Sequence, residues 1–287
     1  MRRVGVCTDS TCTLPPEVLR EHDIRLVPIV IHHGGRNYRD GVDISAGEVY
    51  RIMRERKDLP STSTPSAGDF LDVYRQMDHD AEGIVCITLS SLSSKTYEAA
   101  MVARGMAKEA MPDTQVEVID SRAVAGVLGF IVLEAARAAE RGASLQEVCD
   151  AARSMMKRAI LIAMVDTLYY LARTGRVGRA AAWAGSLLNL KPVLEHNAEA
   201  GEPMPFARPR SKAKAIEVML QALTDSVGTS RVHVNVHHAD ELEQGQRLRD
   251  EIGRRFDCAE LYLTEFTPGM GVHAGPGIIG FSFYAER

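Results

Sequence analysis

Gly83-Ile84-Val85-Cys86-Ile87-Thr88-Leu89-Ser90-Ser91-Leu92-Ser93-Ser94-Lys95-Thr96-Tyr97 passes from an unbroken apolar run into a run of hydroxyls and then into a segment rich in helix formers. A short, continuous apolar run rich in β-branched residues reads as a strand buried on both faces. Serine and threonine favour the first turn of a helix, because their oxygens accept from its free N–H groups. The same grammar recurs. Val4–Cys7 runs into Thr8-Asp9-Ser10-Thr11 and then a short helix whose start is marked by Pro15 and Pro16. Ser61-Thr62-Ser63-Thr64-Pro65-Ser66 precedes a helix in which Phe70, Leu71, Val73, Tyr74 and Met77 recur at helical spacing, with Thr64 or Ser66 as its cap. Val116–Ile119 ends at Asp120-Ser121, and the helix that follows runs to a stop at Gly142.

Outward from these units, Leu26–Ile31 is a further apolar run, and Ser45 with Glu48 makes a capping box for a helix to about Lys57. Strands alternating with helices of this length imply βαβ units and a largely parallel sheet to about residue 155. Ile160–Val165 opens a second part. It reads as helices around Thr167–Ala172 and Arg179–Leu188, a Pro- and Gly-rich stretch from Pro192 to Pro209, and a helix over Lys212–Ser226. Then come a strand at Val232–Val236, an amphipathic helix over Glu241–Phe256, and strands near Leu261–Phe266 and Ile278–Tyr284. The expected architecture is α/β in two domains, 1–157 and 158–287. The first carries a largely parallel sheet with flanking helices, the second a smaller mixed sheet with helices, and a ligand cleft lies between them.

The 287 residues suffice for a full core and two domains. Apolar content of 45% and charged content of 25% are ordinary for a globular chain, and a net charge of −4 gives no general pull toward nucleic acid. Five scattered cysteines, Cys7, Cys12, Cys86, Cys149 and Cys258, form no C-x-x-C pair. His233, His237 and His238 invite a metal reading, but positions four apart on a strand lie ~13 Å apart, too far to share an ion. Met1-Arg2-Arg3 leads straight into a strand, and the apolar runs Ala123–Leu133 and Ala180–Leu190 fall short of the ~20 residues a span needs. The expectation is a cytoplasmic protein without cofactor, metal or stable membrane insertion.

In an open α/β sheet, turns that follow strands line up outside the carboxyl ends, where ligands bind. Helix capping, worth ~1 kcal/mol per cap, accounts for one hydroxyl per turn but not for three or four in succession, which a bound anion would engage. G-x-x-x-x-G-K-[ST] does not occur, and the one G-x-G-x-x-G, Gly275 to Gly280, leads into an apolar run rather than from a strand into a helix, so it does not read as a dinucleotide fingerprint. Thr267-Pro268-Gly269-Met270-Gly271-Val272-His273-Ala274-Gly275-Pro276-Gly277 reads as a tight loop around a single histidine. That imidazole can donate a hydrogen bond to a carboxylate or act as a base. Arg173, Arg176 and Arg179, with Arg208 and Arg210, form short basic clusters that suit a solvated face or a docking patch. Asp9 and Asp120, at strand ends, suit capping or acid–base work. Three functions stay open at this point: a non-catalytic binder of an anion, a hydrolase or acyltransferase using Ser94 and His273, and a phosphate-ligand binder. Against the hydrolase, no G-x-S-x-G elbow is present.

In sequence order, Thr8-Asp9-Ser10-Thr11, Thr62-Ser63-Thr64-Pro65-Ser66, Ser94-Lys95-Thr96-Tyr97, Gly175-Arg176-Val177 with Lys191-Pro192-Val193-Leu194, and His273-Ala274-Gly275-Pro276-Gly277 together resemble the DegV family over essentially the whole chain. That family includes the fatty-acid-binding subunits of bacterial fatty acid kinase. The resemblance implies a non-enzymatic lipid-binding protein with a long-chain fatty acid in a tunnel between two domains, presented to an ATP-dependent kinase subunit that phosphorylates its carboxylate for phospholipid metabolism. It places carboxylate contacts on Thr62 and Ser94, with Ser63 and His273 close by. Asp9, Ser10, Lys95, Arg176 and Arg210 become secondary or partner-facing positions. Lys95 stands where the family's S-G-T has glycine, and Thr64 where its T-S-Q-P has glutamine.

Overall fold

The computed structural model describes residues 4–55, 58–78, 81–183 and 190–286. Their elements run β1 (Val4–Asp9), α1 (Pro16–Glu21), β2 (Arg25–Val27), β3 (Val30–His33), β4 (Arg36–Arg39), α2 (Ala46–Glu55), β5 (Ser61–Ser63) and α3 (Ala67–Asp78). Next come β6 (Gly83–Thr88), α4 (Thr96–Ala110), β7 (Gln115–Asp120), α5 (Ala125–Glu140), α6 (Leu145–Met156), β8 (Ile160–Met164) and α7 (Tyr169–Arg173). The chain closes with β9 (Val193–Asn197), β10 (Met204–Ala207), α8 (Lys212–Val227), β11 (Val232–His238), α9 (Leu242–Arg255), β12 (Cys258–Glu265), α10 (Pro268–Ala274) and β13 (Ile279–Ala285). Arg179–Leu188, expected as a helix, begins as a 3-10 turn over Gly178–Trp183, and its remainder from residue 184 lies outside the described residues, as does Lys57.

The expected parallel sheet has the order β2-β1-β6-β7, every pair parallel. The mixed sheet, expected to be small, is the larger of the two, with six strands against four because β9 and β10 extend its edge; its order is β10-β9-β8-β13-β11-β12, antiparallel except between β11 and β12. Two further features depart from the sequence reading. Leu26–Ile31 is not one strand: the chain leaves the parallel sheet after Val27 and re-enters a small antiparallel sheet, β4-β3-β5. The Pro192–Pro209 stretch is not irregular either, because β9 and β10 pair as an antiparallel hairpin at the edge of the mixed sheet. An edge strand tolerates Pro205, which has no N–H to give the ladder.

Sheets and helices meet on α5. Its first three turns, Ala125 to Leu133, are buried on every side, and it packs on β1 and β6 of one sheet and on β8 and β13 of the other. A helix apolar all round belongs inside a large core, which explains why Ala123–Leu133 carries no charge. A single apolar cluster consequently runs from Val4, Val6 and Ile87 through Leu128 and Ile131 to Leu161 and Tyr284. The helix caps follow the sequence: Ser45–Glu48 and Ser144–Glu147 both close reciprocally, and Gly142 takes φ +80° after α5. No helix among the described residues is long and apolar enough to cross a membrane.

Candidate functional site

Parallel pairing of β1 with β6, Thr8 opposite Ile87, brings the first and third hydroxyl turns side by side. Asp9 ties them together: its carboxylate accepts from the Thr11 amide at 3.1 Å and from the Leu89 amide at 2.7 Å. Burial pushes the Asp9 carboxyl upward, against the pull of those hydrogen bonds. Ser10 donates to Asp40 at 2.6 Å and accepts from the Ile29 amide at 3.1 Å, and Asp40 accepts in turn from the Gly269 amide at 2.9 Å. Asp9 and Ser10 thus face inward as framework. The serine turn divides its labour: Ser90 donates to the Gly201 carbonyl at 2.6 Å and Ser91 to Asp120 at 2.5 Å. Asp120 is therefore an anchor for that turn rather than a helix cap.

The second turn is a strand. Ser61–Ser63 pairs with β3, Thr62 opposite Ile31, and this edge presents Thr62 to His273. Thr62 Oγ1 and His273 Nε2 share a hydrogen bond at 2.7 Å. His273 comes from α10, where a loop was expected. Thr267 caps that helix by accepting from the Met270 amide, and Pro268 supplies the preset φ of a first helical residue. Its glycines let the short helix sink between α2, α7 and the first turn. A Cβ on Gly269 would lie 2.2 Å from Ile29 Cδ1. Gly275 ends the helix at φ +79° and ψ 165°, with the Tyr170 ring where a side chain would go.

Around this junction lies a cavity of about 350 Å³. Its rim is polar and half open: Thr62, Ser63, Ser94, Lys95, Arg176 and His273. Its walls are apolar, from the buried Ile29, Leu89, Leu171 and Ala274 and the half-buried Val124 and Met270. A second chamber of about 80 Å³ shares Val124, Leu171, Met270 and Ala274 with it and goes on to Leu161, Ala163, Phe266 and Ile278. Rim side chains are held in place. Ser63 Oγ bonds His32 Nε2 at 2.8 Å, Ser94 Oγ bonds Thr96 Oγ1 at 2.9 Å, and Arg176 Nε donates to the Ser93 carbonyl at 3.1 Å. Lys95 is turned outward onto Glu98 at 3.0 Å, and Arg210 is exposed and does not line the cavity.

Burial, with Arg176 and Arg173 nearby, lowers the His273 imidazole to about 4, so it is neutral at pH 7. Its Nδ1 is buried without a hydrogen-bond partner among the described residues. Three further imidazoles are lowered by burial: His196 to about 4, His237 to about 3, held between Thr264 and Ser282, and His238. Unfolding returns all four to about 6.5, so below that pH the unfolded chain binds protons that the folded chain refuses, and stability falls as pH falls. Asp40, raised by burial to about 6, acts in the opposite sense over the same window, and burial raises Asp9 and Glu265 as well. We expect the four histidines to dominate and stability to fall between pH 7 and pH 5, read from urea midpoints; a midpoint that holds or rises would contradict this balance.

His196, on β9, is the site residue that sequence reasoning missed. It lines both chambers at 3% exposure, yet nothing marks it in a stretch dominated by Pro and Gly. His233 pairs with Glu260 at 2.5 Å, and among the described residues no three His, Cys, Asp or Glu side chains gather as a metal site.

Comparison with known proteins gives this geometry its relatives. A family model described as the DegV family of uncharacterised proteins matches residues 3–286. A DegV domain-containing protein of Clostridium acetobutylicum is 34% identical over 287 residues, covering 99% of this chain and 98% of its own. A DegV family protein from Thermus thermophilus, described for its fatty acid binding, superposes with a TM-score of 0.91 at 31% identity, over 99% of this chain and 100% of its own. A stearic-acid-binding protein from Eubacterium ventriosum superposes at 0.89 with 28% identity, over 99% and 98% of the two chains. With its α/β fold and its length matched almost end to end, the chain belongs to the DegV family.

Proposed function

We propose that this protein binds a long-chain fatty acid in the two-chamber cavity and presents its carboxylate to a separate, ATP-dependent fatty acid kinase subunit. The observation that carries the reading is the gradient along the cavity, from hydroxyls and a neutral imidazole at an open rim to apolar walls. The acyl chain runs inward past Leu171 and Met270, at the junction of the two units, 1–157 and 158–287. Each buried CH₂ contributes ~0.8 kcal/mol, so the apolar walls supply most of the affinity. Thr62 and Ser94 hold the carboxylate, with Ser63 and His273 beside them. Hydroxyl contacts leave one carboxylate oxygen open to a phosphoryl donor, where a bidentate arginine would mask it. Arg176 at the rim, with exposed Lys95 and Arg210, faces the partner or the acyl phosphate, which goes on to phospholipid synthesis.

The hydrolase alternative gains nothing from the geometry. Ser94 Oγ is bonded to Thr96, while His273 Nε2 is bonded to Thr62 and, among the described residues, no acid orients its Nδ1. The relatives described as fatty acid binders favour the carrier. Native mass spectrometry of freshly purified protein, followed by lipid extraction, tests it: one long-chain fatty acid per chain is expected. Thr62→Val and Ser94→Ala should each weaken fatty acid binding about tenfold, the loss of one hydrogen bond to a charged group; the unfolding midpoint should hold in Ser94→Ala and fall modestly in Thr62→Val, which takes the Nε2 partner from His273. Protein that neither carries nor takes up fatty acid would return weight to a phosphate ligand.

A further inference from the structure

His196 sits where a saturated acyl chain has nothing to offer it. Its imidazole is buried at 3% exposure and borders both chambers of the cavity, beside the apolar Leu171, Met270 and Ala274. Among the described residues neither ring nitrogen makes a hydrogen bond of normal distance and angle; the Gly201 backbone interacts with the ring only weakly, in the sense of an acceptor. Such orphaned pairs of buried polar atoms are uncommon, because each unmade bond is costly. Burial keeps the ring neutral, with one nitrogen a donor and the other an acceptor. The two nitrogens point apart, so one ligand group serves only the nitrogen that faces it, and an uncharged group able either to donate or to accept suits that nitrogen in either tautomer. A hydroxyl does this.

We propose that the preferred ligand is a long-chain fatty acid bearing a hydroxyl part-way along its chain, with that hydroxyl hydrogen-bonded to His196. The inference rests on the carrier reading and narrows its ligand from fatty acids in general to hydroxylated ones. A site built to hydrogen-bond a substrate hydroxyl discriminates against the analogue lacking it, since the site's own polar groups are then left unpaired. His196 is thus a specificity-determining residue, distinct from the rim groups that hold the carboxylate. Its position, shared by the outer and inner chambers, fixes the hydroxyl in the interior of the acyl chain and away from both ends.

The experiment is a competition between stearic acid and its positional hydroxystearic isomers, read by native mass spectrometry on delipidated wild-type protein and on His196→Leu. One mid-chain isomer should displace stearic acid at about tenfold lower concentration, 1.4 kcal/mol, and His196→Leu should abolish or reverse that ratio while still binding stearic acid. Imidazole ¹⁵N spectra of the wild type give an answer that does not depend on the variant folding: the His196 resonances should shift with the preferred hydroxystearic acid and not with stearic acid. Equal affinity for stearic acid and every isomer, or a preference unchanged in His196→Leu, overturns the proposal and leaves a trapped water as the partner of His196. Stearic acid bound with normal affinity keeps the carrier reading intact in that event. Failure of every acid to bind would instead overturn both.

Discussion

Gly275→Val lowers the stability of this protein by about 4 kcal/mol, in two separable parts. Gly275 sits at φ +79° and ψ 165°, a region that is essentially reserved for glycine and that strains other residues by roughly 1–3 kcal/mol. A Cβ there would also lie 2.1 Å from Tyr170 Cδ2, and overpacking against a fixed ring adds roughly 1–3 kcal/mol. Gly142 separates the parts, since it too has positive φ, +80°, but nothing within 4 Å of an added Cβ. Gly142→Ala should cost only about 1 kcal/mol. Urea midpoints of both variants decide the matter. If Gly275→Val unfolds no more readily than Gly142→Ala, then α10 does not rest on Tyr170 as described. Gly275 lies two residues beyond His273, so the variant should also weaken lipid binding by moving that imidazole from Thr62.

The second large effect concerns acyl length. Ala163 lies on β8, on the face that turns toward α5, and it lines only the inner chamber. Ala163→Phe fills that chamber of about 80 Å³. At about 30 Å³ of liquid volume per water-sized group, at least ~3 methylenes lose their place there, ~2.4 kcal/mol at ~0.8 kcal/mol each. Affinity for an eighteen-carbon acid should fall about 50-fold, while acids shorter by four or more carbons bind as in the wild type. A uniform loss at every length would mean that the chain does not reach the inner chamber.

The elements most legible in the sequence were those whose local and tertiary demands agree. Val4–Cys7 and Gly83–Thr88 are apolar because both faces are covered, and Ser45, Ser66 and Ser144 cap helices as their spacing with an acid three residues on requires. Legibility failed where one signal served two purposes. Ser61-Thr62-Ser63 looks like a turn because it is all hydroxyl, yet it pairs with β3 as a strand, which is what aims Thr62 at His273. The glycines of 269–277 suggested a loop, although Thr267-Pro268 is a helix start in its own right; they are there so that α10 can pack tightly. Within the serine turn, Ser90 and Ser91 serve the fold and Ser93 and Ser94 face the cavity, a division decided by partners as distant as Gly201 and Asp120. His196 carries no local pattern; its importance comes only from what surrounds it.

Because α5 begins directly after Val124, which lines both chambers, and is packed on both sheets at once, the sheets are tied together beside the cavity and resist swinging apart like jaws. A bound chain has to slide out lengthwise, head first, shedding its contacts methylene by methylene. Residence time should therefore rise steeply with acyl length while the on-rate changes little. On the carrier reading, a long acid therefore stays bound through many encounters at the rim, while a short one is lost between them.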